Sequence, residues 1–203
     1  MKIGLFGGTF DPIHIGHLIV MENVLNIMNL DKIIILPSSN PPHKQDKDKT
    51  DVKLRVDMVK KAIKNNNRII LSTFEANSNE VIYSYQTINY FKGKYPTDEF
   101  YYIMGEDSFM NIESWKNYKD LLKENLIVFA RSSIDSQSSL VKKVKETNKE
   151  NIHLINNLNI NISSTLIRNL LRDGKSIRYL VTDDVYDFIM ENRLYVWHWK
   201  TGK

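Results

Sequence analysis

The sequence predicts an α/β protein built on a doubly wound parallel sheet, and three of its features lead there. Short apolar runs alternate with stretches of helical period, which is the pattern of strand–helix–strand units. The runs are apolar throughout, as strands buried on both faces require. Polar or Gly-containing turns follow the runs, at the strand ends where open α/β sheets hold their ligands.

The strands read in order as Ile3 to Phe6, Ile33 to Leu36, Ile69 to Leu71, Phe100 to Met104 and Leu126 to Ala130, with a weaker one at His153 to Ile155. Between them, Leu18, Met21, Val24, Leu25 and Met28 recur at helical spacing, as do Leu54, Met58, Val59 and Ile63. Tyr85 to Phe91 and Leu140 to Thr147 are fainter helical stretches. Helical crossovers between parallel strands imply right-handed connections. From Ser163 to Leu194 the chain reads as two or more helices. Leu166, Ile167, Leu170 and Leu171 form one stripe, Val185, Phe188 and Ile189 another, and Asp173-Gly174 separates them. The long loop from Pro37 to Thr50 is unusual in a compact domain, and loops of that length are commonly functional or mobile.

With 203 residues and 42% apolar content, the chain can bury the core of one sizeable domain, residues 1–203, with 163–194 as its C-terminal helical part. A formal charge of +4 suits phosphorylated ligands, and no basic run forms a nucleic-acid arm. The absence of cysteine removes disulfides, thiolate chemistry and zinc ribbons. No apolar run approaches a membrane span, and Met1 to Phe6 is too short for a signal peptide's apolar region. The expectation is a soluble cytoplasmic protein; its oligomeric state, a homo-oligomer included, is open.

The chemistry concentrates first in Gly7-Gly8-Thr9-Phe10-Asp11-Pro12-Ile13-His14-Ile15-Gly16-His17, after the first strand and into the first helix. Two glycines let the backbone approach a ligand, and N–H groups at a helix start attract anionic oxygens. The segment has neither the Lys of a P-loop nor the three-glycine dinucleotide fingerprint. His14 and His17, three apart, share one side of the first turn if both are helical, and Gly16 keeps the approach open. The competing reading, an ordinary histidine at a helix start, is weaker for a pair than for a single residue. A zinc site lacks a Glu or third His at ligand spacing, so no protein metal site is expected.

A second cradle is Ile162-Ser163-Ser164-Thr165-Leu166-Ile167-Arg168. Its hydroxyls can cap a helix, and Arg168 on the first turn can fork onto phosphate oxygens. By spacing alone this is equally a capped helix with an exposed Arg.

The first run resembles the signature of the cytidylyl- and adenylyltransferase superfamily, His-x-Gly-His after the first strand, in the version found in bacterial nicotinate-mononucleotide adenylyltransferases. The second resembles that superfamily's Ile-Ser-Ser-Thr-x-Ile-Arg, which binds the phosphates of ATP. The resemblance runs from Lys2 to about Tyr195 and implies a single Rossmann-like nucleotidyltransferase domain. It also implies ATP contacts from Gly7, Gly8, Thr9, Phe10, His17, Ile162, Ser163, Ser164, Thr165 and Arg168, with Arg131 after the fifth strand as a further one. Pro41-Pro42-His43-Lys44 resembles a family segment whose Lys reaches the phosphates. Gly105-Glu106-Asp107 and Trp115 resemble the family's Gly-x-Asp and later Trp, where the indole stacks on a pyridine ring; plain core packing is the alternative for Trp115. Ile82-Tyr83-Ser84-Tyr85 resembles the family's Ser-Tyr-Thr segment, which recognises the nicotinate carboxylate. Tyr83 and Ser84 are taken for its Tyr and Thr, and a register of Ser84-Tyr85 stays open. Thr182 stands where the family commonly has Pro, a departure expected to be structural.

The implied reaction is attack of a mononucleotide phosphate on the α-phosphorus of ATP, giving deamido-NAD and pyrophosphate. A phosphate monoester has a second pKa of about 6, so the nucleophile is already ionised and needs no general base. Catalysis then rests on alignment and charge stabilisation, with His14, His17, Lys44 and Arg168 as donors and Mg²⁺ accompanying ATP. Competing readings are the same chemistry on pantetheine phosphate, a non-catalytic nucleotide sensor and a nucleic-acid binder. The Trp115 segment, the intact His14, His17 and Arg168, and the lack of a nucleic-acid motif argue against them in turn.

Overall fold

Six parallel strands form one sheet in the order β3-β2-β1-β4-β5-β6 in the computed structural model, which describes residues 1–39, 49–130, 138–147, 149–156 and 161–195. The strands are β1 Lys2–Gly8, β2 Lys32–Pro37, β3 Ile69–Leu71, β4 Glu99–Gly105, β5 Asn125–Ala130 and β6 Ile152–Asn156. The helices are α1 Ile15–Ile27, α2 Val52–Ile63, α3 Ser84–Lys94, α4 Glu106–Met110, α5 Tyr118–Leu121, α6 Ser139–Thr147, α7 Ser164–Arg172 and α8 Asp183–Glu191. A 3-10 turn, Ile112–Ser114, lies between α4 and α5.

All six predicted strands form, β3 with its predicted bounds and the other five lengthened by a residue or two at one or both ends. Their alternation explains why they looked apolar throughout. In β2, Ile33 and Ile35 enter one core cluster while Ile34 and Leu36 enter the other. In β4, Tyr101 and Ile103 face the first cluster, and Phe100, Tyr102 and Met104 the second. The first cluster includes residues of α1, α2, α7 and α8; the second includes residues of α3, α4, α5 and α6. Both sheet faces are thus covered, which is why a period of two leaves no polar trace. Val185 and Ile189 of α8 and Ile167 and Leu171 of α7 join the same cluster as α1, so the C-terminal helices pack onto the sheet's own core.

Chain order explains the position of the site. From β1 the chain runs outward to β2 and β3, then returns to place β4 on the other side of β1. The carboxyl ends of β1 and β4 therefore border a topological switch point, where the helices following the two strands diverge and leave a crevice. Among the described residues, no helix is long and apolar enough to cross a membrane. Lys44 with its Pro41-Pro42-His43 neighbours, Arg131 and the tail from Val196 lie outside the described residues.

Candidate active site

A cleft of about 890 Å³ opens at that switch point. Gly7, Gly8, Thr9 and Phe10 line it from the end of β1, Met104 and Gly105 from the end of β4. In a parallel sheet every helix that follows a strand begins at the carboxyl edge. The starts of α1 (His14, Gly16, His17), α3 (Tyr83, Ser84), α4 (Gly105, Asp107) and α7 (Ser163, Ser164, Thr165) all reach the cleft. Helix N-termini carry partial positive charge and unsatisfied N–H groups. No acidic residue occupies the first turn of α1, α3 or α7, so that charge is left for a ligand anion.

The two histidines meet, but not as two helical residues. His14 is the extended N-cap of α1, and His17 sits in the first turn; their rings stack with centroids 3.6 Å apart. The His14 N–H donates to His17 Nδ1 at 3.3 Å, which leaves Nε2 as the protonated, donating nitrogen of a neutral His17 ring. Gly16 makes room for the pair: a Cβ there would lie 3.0 Å from His14 Nδ1. At Gly8 a Cβ would come within 2.8 Å of the Phe10 ring, which tucks beneath the loop with its backbone in the left-handed region (φ 49°). Phe10 then packs edge-on against His17 at 5.0 Å. A bulky residue held at positive φ beside a site is the sort of local strain that the surrounding structure must sustain.

The two cradles are joined to one another. Ser163 caps α7, its hydroxyl accepting from Leu166 N–H at 3.1 Å. The Ser164 hydroxyl donates to the Pro12 carbonyl at 2.9 Å, and an Arg168 Nη donates to the Asp11 carbonyl at 2.7 Å. Arg168 lies one turn beyond Ser164, which places it at the start of the second turn of α7 and not on the first, and it is among the residues lining the cleft.

At the other end, Tyr83 and Ser84 line the cleft at the start of α3, with Gly105, Asp107, Trp115 and Lys116 across from β4. Trp115 is half-buried, packed on the second core cluster and edge-on to Tyr102 at 6.5 Å, so it serves packing and cleft together. Lys116 Nζ sits 4.6 Å from the Tyr83 ring centroid.

Several residues of the site had no signal in the sequence. Arg55 of α2 is 1% exposed and donates to the carbonyls of Thr9, Thr50 and Ser38, clasping the first loop to the end of β2. Burial lowers its pKa and the neighbouring Asp11 opposes that shift; the guanidinium stays charged. Asp11 is buried, accepting from Tyr195 Oη at 2.6 Å and Thr50 N–H at 3.3 Å, which ties the C-terminal turn to the same loop. Glu75, 7% exposed and lining the cleft, has its pKa pushed up to about 7 by burial, against a hydrogen bond from Thr87 Oγ1 at 2.8 Å. A Glu in a loop, a Tyr in a strand and an Arg on a helix each read as ordinary from sequence. Among the described residues, no group of three or more His, Cys, Asp and Glu gathers to hold a metal.

Comparison with known proteins gives the same class. The cytidylyltransferase-like family model matches residues 5–170, and the chain belongs to that family. Within it, the chain is 40% identical over 198 residues to a Clostridium perfringens (strain 13) protein named "Probable nicotinate-nucleotide adenylyltransferase", covering 96% of this chain and 98% of that one. A protein of the same name from Clostridium botulinum (strain Okra) is 37% identical over 195 residues, covering 94% and 97%. Among solved structures, Plasmodium falciparum nicotinic acid mononucleotide adenylyltransferase complexed with NaAD matches with a TM-score of 0.80 at 25% identity, over 96% of this chain and 97% of that one.

Proposed function

We infer that the chain is a nicotinate-nucleotide adenylyltransferase, transferring AMP from ATP to nicotinate mononucleotide in NAD biosynthesis. The observation that carries this reading is the meeting of helix starts on one cleft, with the paired histidines and α7 at one end and Tyr83, Ser84 and Trp115 at the other. That is a site for two phosphorylated substrates laid end to end.

In this reading an oxygen of the mononucleotide phosphate forms a bond to the α-phosphorus of ATP. The bond from that phosphorus to the bridging oxygen breaks, and pyrophosphate leaves with the electron pair. His17 Nε2–H, His14 and Arg168 supply donors to the ATP phosphates, assisted by N–H groups of Gly8, Thr9, Phe10, Ser164 and Thr165; Gly7, Ile162 and Ser163 complete the walls. By resemblance, Lys44 is assigned to the mononucleotide and to catalysis as a donor to the phosphates, and Arg131 to the ATP side. Tyr83, Ser84, Gly105, Asp107 and Trp115 are assigned to the acceptor. Charge stabilisation by prearranged donors in a sheltered cleft is commonly the largest catalytic contribution. A divalent metal accompanies ATP in this family; we assign it as Mg²⁺, entering with the nucleotide. We assign residues 1–203 to one nucleotidyltransferase domain, because α7 and α8 share the sheet's core. Both substrates are cytoplasmic metabolites, and we assign the enzyme to that compartment.

The test is pyrophosphate release from ATP and Mg²⁺ with nicotinate mononucleotide, nicotinamide mononucleotide or pantetheine phosphate in turn. Release with the first, matched by deamido-NAD, is expected. Release with pantetheine phosphate alone would reassign the acceptor, and release with none would remove the activity.

A further inference from the structure

We propose that Tyr102 is a positioning residue for the acceptor: its buried phenol is hydrogen-bonded to the Ser84 hydroxyl and reverses that bond, becoming the donor, when Ser84 turns its proton to the acid group on the mononucleotide's ring. This deepens the nicotinate reading and rests on it. Ser84 is the first residue of α3, where its hydroxyl and the helix's free N–H groups line the cleft. A serine hydroxyl at such a place rotates to suit whatever lies nearby. Here the Ser84 hydroxyl donates to Tyr102 Oη at 2.8 Å.

Tyr102 is set firmly. It lies in the middle of β4, is 6% exposed, belongs to the second core cluster and meets Trp115 edge-on. Packing alone would be served by Phe, because burying a hydroxyl costs free energy unless it is hydrogen-bonded. Burial raises the phenol's pKa, the charge of Glu75 raises it further, and the bond from Ser84 lowers it. The phenol therefore stays an O–H across the working pH range.

A carboxylate only accepts hydrogen bonds, so Ser84 must turn its proton toward it. Tyr102 can then donate to the vacated Ser84 oxygen, giving the series Tyr102 O–H to Ser84 O–H to carboxylate, in which each bond polarises the next. A neutral carboxamide receives the same hydroxyl without the assistance of charge.

The test compares wild type, Tyr102→Phe, Ser84→Ala and the double variant with ATP, Mg²⁺ and equal concentrations of nicotinate and nicotinamide mononucleotides. Each single variant is expected to lower the ratio of the two dinucleotide products about 5-fold, and the double variant about 5-fold again relative to wild type and no more. KM for ATP is expected to stay unchanged. Full additivity, about 25-fold in the double variant, would overturn the coupling. So would a Tyr102→Phe enzyme with an unchanged ratio, or one whose KM for ATP rises as much as that for the acceptor. An unchanged ratio in Ser84→Ala overturns the proposal whatever the fate of the Tyr102 variant. If wild type makes no product from nicotinate mononucleotide, the acceptor reading falls and this inference with it; if wild type prefers nicotinate and only the variants disagree, this inference alone falls.

Discussion

At the scale of single residues, the site depends on which atoms are kept as donors. His17 accepts at Nδ1 from the His14 N–H, so in the neutral ring the proton sits on Nε2. His17→Ala is expected to lower kcat by at least about 10²-fold, the cost of losing one transition-state donor, with little change in thermal stability. Steady-state kinetics beside a melting curve checks this; near-normal kcat in a folded variant would remove the catalytic assignment. The histidine pair and Gly16 were legible because they lie within one loop and helix start, where spacing determines neighbours, whereas Ser163, Ser164 and Arg168 were legible only through their resemblance to a known signature. Tyr102, Glu75 and Arg55 were not. Tyr102 and Glu75 reach the cleft from β4 and the loop before α3, Arg55 reaches the first loop from α2, and only the assembled sheet brings them there.

At the scale of elements, α2 and α7 act as braces for the first loop. Arg55 is buried with three carbonyl partners beside Asp11. Arg55→Ala leaves those acceptors and the Asp11 carboxylate without it, and a loss of roughly 3–5 kcal/mol is expected in urea unfolding, with Arg55→Lys recovering part. A loss below about 1 kcal/mol would show that the clasp is not structural. Arg168 braces the loop through the Asp11 carbonyl and also faces the cleft from α7. Arg168→Ala is expected to raise KM for ATP far more than KM for the mononucleotide; equal effects in a two-substrate kinetic matrix would reduce it to a brace. The six strands and six of the eight helices were legible through their apolar periods. The exceptions are α4 and α5, of five and four residues, which are too short for a period to show, and the start of α1, where Ile15 and Gly16 precede the first apolar repeat.

At the scale of the whole molecule, the sheet order gathers helix starts at one edge and brings a buried acid to the cleft between them. Glu75 has a folded pKa of about 7 against 4.5 ordinarily, so the unfolded chain releases this proton first as pH rises. Its contribution to stability is full below pH 4.5, declines between about 4.5 and 7, and is flat above, a total of roughly 3 kcal/mol. Glu75→Gln is therefore expected to gain stability relative to wild type as pH rises from 5 to 8, read as the difference between their urea midpoints. His153, whose pKa burial lowers, acts with the opposite sign and cancels in that difference. A difference that does not change with pH would contradict the burial account of Glu75.

The central claim is that this cleft joins ATP to an acidic mononucleotide, and one competition measures it. Nicotinate and nicotinamide mononucleotides at equal concentration are incubated with wild-type protein, ATP and Mg²⁺, and both dinucleotides and pyrophosphate are quantified. A charge-assisted hydrogen bond is worth about 1.5–3 kcal/mol, so the account predicts a preference of roughly 10- to 150-fold for the nicotinate form, with one pyrophosphate per dinucleotide. A ratio near one, a preference for the amide, or pyrophosphate without dinucleotide would contradict it.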